Sequence, residues 1–254
     1  MWIKTAGWAT FAVVMTSCRS RPEAAISATN FDVVAASDGQ REWMSGVVRE
    51  CLSDVETYFH HPMPEQFGVQ VYDTHLEMEQ AAQQKWSVGE LPCWAVAMGS
   101  GSGLMIIDPQ HWPREACEHA DDTEEDVRGI IRHELVHVYH GQRNADHEFM
   151  QSDDIGWFVE GVAVLASRQF TEARHQQARR EALEGREPAQ LTEAWSGPAR
   201  YAVAGSMAAF VEQRVRREGL CGLLGARDNA TILSAAGFAD EDEFLEAWTE
   251  WVKK

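Results

Sequence analysis

No stretch of this chain gathers Lys and Arg on a scale that offsets its formal charge of -18, no internal repeat runs through it, and none of its cysteines stand at CxxC spacing. The first absence argues against a nucleic-acid partner, because an acidic surface repels phosphate backbones. The last argues against a cysteine-based zinc ribbon. Long apolar runs are missing as well: Trp8 to Met15 is the most hydrophobic N-terminal stretch, and it is too short to span a bilayer as a helix. The acid-rich segment from Glu115 to Asp126 lacks the ligand spacing of an EF-hand loop, which leaves a solvated, acidic surface as its reading. What remains is ordinary for a folded soluble core. With 44% apolar and 24% charged residues over 254 positions, the chain suits one large domain or two closely packed lobes.

The first residues read as an address. Lys4 supplies a positive region, Trp8 to Met15 an apolar one, and Met15-Thr16-Ser17-Cys18 a processing site. This tetrapeptide resembles the lipobox of bacterial lipoproteins, with Met15 in place of the usual Leu. The resemblance implies a signal peptide over 1–17, lipidation of Cys18, a tether over 18–38, and a location in the bacterial cell envelope. A lipid anchor would then be the only attachment to the membrane. Ordinary signal cleavage nearby is the alternative. Four cysteines are left, Cys51, Cys93, Cys117 and Cys221, and export favours disulfides over free thiols. Of the three connectivities, the one containing Cys93–Cys117 is preferred because that pair closes the shorter loop.

Beyond the tether, apolar residues recur at helical spacing from Gln40 to His60, Phe67 to Tyr72 alternates as a strand, and Leu76 to Trp86 returns to helical character. Cys93 to Met98 and Leu104 to Ile107 read as two strands of a hairpin joined by the flexible run Gly99-Ser-Gly-Ser-Gly103. Thr123 followed by Asp126 marks a helix start. Helices are expected from there over roughly 124–140, 155–185, 199–218, 228–236 and 240–252. The predicted class is α+β, with an N-terminal α/β part (39–122) that carries a mixed sheet and a mainly helical part (123–254).

His133-Glu134-Leu-Val-His137 is a HExxH motif. On a helix, Val127, Ile131, Leu135 and Val138 fall on one core-facing stripe, while His133 and His137 lie one turn apart on another face and can reach a single ion. Gly141 is positioned as a C-cap. A third ligand is required. His140 lies on the same helix, where three ligands in a row enclose a tetrahedral ion poorly, and it is read as lying beside the ligands or facing solvent. The continuation with Gly and then His at positions 140 and 143 is not met, since the chain has His140 and Arg143. Glu160 is the better candidate. It is the lone carboxylate in the apolar segment Ile155 to Ala166, and a buried carboxylate needs a cation; an ion pair with Arg132 or Arg168 is the alternative to a metal.

HELVH followed by Trp157-Phe-Val-Glu160-Gly-Val-Ala163 resembles the gluzincins, zincin-fold metallopeptidases with a WxxEGxA-type second motif, and most closely the small bacterial peptidase-MA-like group. Tyr201-Ala-Val-Ala-Gly205-Ser206 is similar to a later helix-opening segment of that group. The resemblance covers roughly 90–252. It implies a zincin-like fold with the active site between the two parts, one Zn2+ per chain on His133, His137 and Glu160, and a peptide or protein substrate. Glu134 would act as general base toward a zinc-bound water, and Tyr201 is the candidate oxyanion donor, with plain packing as its alternative and Tyr139 as its rival. The competing functions are a catalytically silent zinc-binding envelope lipoprotein and a structural zinc module.

Overall fold

The computed structural model describes residues 30–149 and 153–254; the expected signal peptide, Cys18 and most of the tether lie outside that range. Strand β1 (Phe31–Val34) leads through helix α1 (Asp38–Phe59) to β2 (Phe67–Tyr72), and α2 (His75–Trp86) is followed by β3 (Ala97–Ser100) and β4 (Gly103–Ile107). The sheet order is β1-β2-β4-β3. Strands β1, β2 and β4 run parallel, as helical crossovers require, and β3 returns antiparallel to β4 as an edge strand. A short helix α3 (Trp112–Glu115) then precedes α4 (Glu124–Gly141), α5 (Gly156–Ala166), α6 (Glu172–Leu183), α7 (Arg200–Leu223), α8 (Asn229–Ala236) and α9 (Glu241–Val252). The α+β class is therefore as expected. One buried cluster runs from Phe31 to Val252, so no break in the core separates the sheet-bearing part from the helical part.

Four expectations are corrected. Residues 31–34, assigned to the tether, pair with Phe67–Gln70 in the sheet, and α1 already begins at Asp38. The hairpin's first strand is Ala97–Ser100 instead of Cys93 to Met98, so the glycine run is itself part of the sheet. The reason is packing: a Cβ on Gly99 would meet the Glu134 carbonyl oxygen at 2.2 Å, and one on Gly101 would meet the Gly141 backbone at 2.8 Å. These glycines let β3 lie directly on the backbone of α4. Gly141, expected as a C-cap, is instead inside α4, where a Cβ would meet Gly101 N at 2.4 Å; Gln142 in ordinary right-handed conformation ends the helix. The fourth correction is a break in the long helix expected over 155–185, where Ser167 to Thr171 separates α5 from α6 and Arg168 takes a φ of 65°. Thr171 restarts the chain as N-cap, its side chain accepting from Arg174 N.

Helix α4 begins where expected. Thr123 and Asp126 form a reciprocal capping box, and three acids in the first turn oppose the helix dipole. Its apolar stripe of Val127, Ile131, Leu135 and Val138 is buried. Helix α5 packs between α4 and α7. The approach to α7 is close because Gly161 faces Ala204, whose carbonyl oxygen a Cβ would meet at 2.3 Å, and Gly205 faces Val164 at 2.7 Å. Both glycines of the second and third motif segments thus serve helix contact, and that contact fixes where Glu160 and Tyr201 emerge.

Candidate metal centre

Helices α4 and α5 bring three donors together. The Nε2 atoms of His133 and His137 are 3.1 Å apart, and Glu160 Oε2 lies 3.3 Å from the first and 3.6 Å from the second. All three ligand-type atoms fall within 4.8 Å of one another. Both imidazoles are 6% exposed, and the Glu160 side chain is 24% exposed, toward the groove described below. Neither arginine considered as an ion-pair partner for Glu160 takes that role. Arg132 pairs with Asp54 and Glu125, and Arg168 with Asp54.

The electrostatics follow from this crowding. Burial pushes the His137 pKa down more than any other single influence, but the adjoining Glu160 charge and hydrogen bond, with Glu134 behind them, raise it above the ordinary value. For Glu160, burial alone would raise the pKa; the charge of His137 and the hydrogen bonds from both imidazoles hold it well below the usual carboxylate range. His133 has a further partner that the sequence reading missed: its Nδ1 donates to Gln169 Oε1 at 3.1 Å. With Nδ1 donating there, Nε2 is the ring atom that His133 presents to His137 and Glu160, the arrangement expected of a metal-ligating histidine. Gln169 stands in the break between α5 and α6, and Thr171 followed by Glu172 was the one local signal of that break. Two imidazole lone pairs and one carboxylate, converging with the open side toward a groove, fit the donor set of a single divalent transition-metal ion.

The groove has two lobes, of about 540 and 460 Å³, and His133, Glu134, Trp94 and Tyr201 line both. The Glu134 carboxylate has no hydrogen-bond or ion-pair partner among the described residues. The smaller lobe is largely apolar, with Met98, Phe149, Val159 and Trp195, and the larger one is charged. Tyr201 opens α7 with its ring 6.2 Å from that of His133; burial, and after it the charge of Glu160, raise its pKa. Tyr139 instead stacks on Phe59 at 4.4 Å in the core, fully buried and remote in role from the groove.

Cys93 and Cys117 form a disulfide, and Cys117 N donates to Cys93 O. His119 adds a hydrogen bond between its Nε2 and Trp94 O, so the segment carrying Trp94 is tied to the turn that forms the far wall of the larger lobe. Cys51 and Cys221 are buried and stand in no disulfide among the described residues, and burial pushes the Cys51 thiol up to about 12. His140 departs from expectation. It is fully buried against Phe149 and Phe158, neither solvent-facing nor in contact with the ligands, and neither ring nitrogen has a hydrogen-bond partner within the ordinary distance. Burial is the main cause of a pKa pushed down to about 3.

Asp73, Asp108 and His111 also come within 4.8 Å at the C-terminal ends of β2 and β4. Most of their side-chain donor atoms are already engaged. Gln40 Nε2 donates to both Asp73 Oδ1 and Asp108 Oδ2, Gln110 N donates to Asp108 Oδ1, and His111 Nδ1 donates to the Asp73 carbonyl oxygen.

No protein-family model matches the chain, and no curated protein matches its sequence.

Proposed function

We propose that the protein is a zinc-dependent peptidase of the zincin type, with the metal on His133, His137 and Glu160 and with Glu134 as general base. The single observation that carries this reading is the unengaged Glu134 carboxylate on the floor of a groove, beside three converging donors. A structural site has no use for such a carboxylate. The mixed sheet, with an antiparallel edge strand lying on the motif helix, supports the zincin assignment.

Bound zinc would supply Lewis acidity toward the substrate carbonyl and a water made acidic enough to attack near neutral pH. Glu134 would take a proton from the attacking water and pass it to the departing amide nitrogen, so that hydroxide adds to the acyl carbon and the peptide bond ends as a carboxylic acid and an amine. Tyr201 would donate a hydrogen bond to the oxygen that gains charge, and burial would keep its hydroxyl protonated. Edge strand β3 contributes Ala97, Met98 and Gly99 to the groove wall, where an extended substrate can pair with its backbone. Gln169 fixes the His133 ring, and the disulfide holds Trp94 at the rim.

The test is Glu134→Gln. Zinc content and melting temperature are expected to stay near wild type while peptide turnover falls at least about 10²-fold. A wild-type protein that cleaves nothing in a broad peptide library, yet binds a peptide with affinity indifferent to Glu134→Gln, would replace the peptidase by a silent binding protein. Attachment to the cell envelope through a lipid on Cys18 belongs to the same proposal. Among the described residues no helix is long and apolar enough to cross a membrane, and a Cys18→Ser precursor that stays in the membrane fraction would remove the lipid anchor.

A further inference from the structure

The charges of the larger lobe are unequally engaged. On the wall made by the 117–123 turn and the start of α4, Asp122 pairs with His119, Glu125 with Arg132, and Asp126 closes the capping box of α4. Across the lobe stand Arg174, in the first turn of α6, and Arg200, at the start of α7. Neither has a carboxylate partner among the described residues, in a chain with 40 acidic and 22 basic residues. The Arg174 Nη1 atom is buried with no hydrogen-bond acceptor. Its guanidinium lies 5.3 Å from the Tyr201 ring centroid, and that of Arg200 lies 5.0 Å from the same ring and 5.1 Å from Trp94. Stacking on Tyr201 compensates a desolvated guanidinium only in part, because the planar fork of N–H donors still lacks an acceptor.

We propose that Arg174 anchors a substrate carboxylate, and that the groove therefore selects peptides carrying a carboxylate within about three residues of the bond to be cut. This rests on the hydrolase reading above. The reach is bounded by the chain's own dimensions: the His133 ring is 6.2 Å from that of Tyr201 and the Arg174 guanidinium is 5.3 Å from the Tyr201 centroid, so the two distances together set the longest span, and an extended peptide advances about 3.3 to 3.6 Å per residue. A guanidinium accepts a carboxylate bidentately, which fixes orientation as well as distance. The carboxylate has two possible sources, the free C terminus of the peptide or an Asp or Glu side chain. The first would make the protein trim peptides from their C-terminal end. Arg200, stacked among Trp94, Trp195 and Tyr201, would position the aromatic wall and add positive potential without being the anchor.

The experiment uses the zinc-loaded protein bearing Glu134→Gln, so that binding is read without turnover. Three forms of one peptide are titrated calorimetrically: a free C-terminal acid, its C-terminal amide, and an amide with Glu placed in turn at each of the last three positions. The acid, or one of the Glu-bearing amides, is expected to bind about 10- to 100-fold more tightly than the plain amide, and which of them does so names the source. Adding Arg174→Gln should bring that ratio to near one, whereas Arg174→Lys should keep part of it. Equal binding of all three forms, or a preference untouched by Arg174→Gln, overturns the anchor. Turnover by the wild-type protein separates the two readings. Cleavage without any carboxylate preference sinks the anchor and leaves the hydrolase, while a carboxylate preference in binding with no cleavage of any peptide sinks the hydrolase and leaves the anchor.

Discussion

Among the described residues, two clusters each bring three metal-type donors within 4.8 Å, and they differ in how far those donors are already hydrogen-bonded. At the ends of β2 and β4, Gln40, Gln110 and the Asp73 carbonyl have already engaged most of the side-chain donor atoms of Asp73, Asp108 and His111. Between α4 and α5, the one bond to a described residue outside the cluster goes from His133 Nδ1 to Gln169, which turns Nε2 toward His137 and Glu160. Convergence is thus a weak sign of a metal site, and lone pairs left facing one another are a stronger one. His140 is a third case, a donor one turn beyond His137 whose ring packs against Phe149 and Phe158.

The largest effect expected is on the first cluster's carboxylate. Glu160→Gln should weaken zinc retention by more than about 10²-fold, measured by competition with a chelator, because the change removes a ligand charge and leaves the two imidazoles alone. Retention equal to wild type would break the comparison by showing that Glu160 is as idle as the second cluster. Next comes Gln169→Leu, which frees the His133 ring to rotate and change tautomer; about a 10- to 100-fold loss of zinc affinity is expected, with the fold intact by circular dichroism.

A smaller effect concerns His140. Its pKa lies near 3 in the folded chain against an ordinary 6.5, so between those values the unfolded chain binds a proton that the folded chain does not. Stability should therefore fall as the pH drops through that window, with a slope approaching about 1.4 kcal/mol per pH unit. In urea unfolding of zinc-free protein, His140→Phe should flatten that acid limb relative to wild type; identical limbs would mean that the ring is not held neutral. The smallest effect belongs to the second cluster, where His111→Ala should leave zinc stoichiometry at one per chain, and a fall in metal content would erase the contrast between the clusters.

Much of this was legible because helices announce themselves locally. The boundaries of α4 came from Thr123, Asp126 and the stripe of Val127, Ile131, Leu135 and Val138, and the same periodicity put His133 and His137 on one face. Glu160 stood out as one charge in an apolar helix. The break at Ser167 to Thr171 was marked locally only by Thr171 and Glu172, since Arg168 in a left-handed conformation is an unfavourable local choice that the contacts around it sustain. The glycines of β3 were misread for a related reason: the pattern Gly-Ser-Gly-Ser-Gly suits a flexible link equally well, and the helix backbone that makes it a packing surface is roughly 35 to 40 residues away.

By itself the sequence determined the α+β class, the helix bearing the HExxH motif and the candidates His133, His137 and Glu160, because each is marked by a pattern within its own element, helical spacing for the two histidines and a lone charge in an apolar helix for Glu160. The tertiary structure alone decided that Gln169 meets His133, that His140 is buried against Phe149 and Phe158, and that Arg174 lines the groove without a carboxylate partner among the described residues. Those are meetings between elements far apart in the chain, and no local periodicity encodes which side chains will share a space once α4, α5, α6 and α7 have packed together.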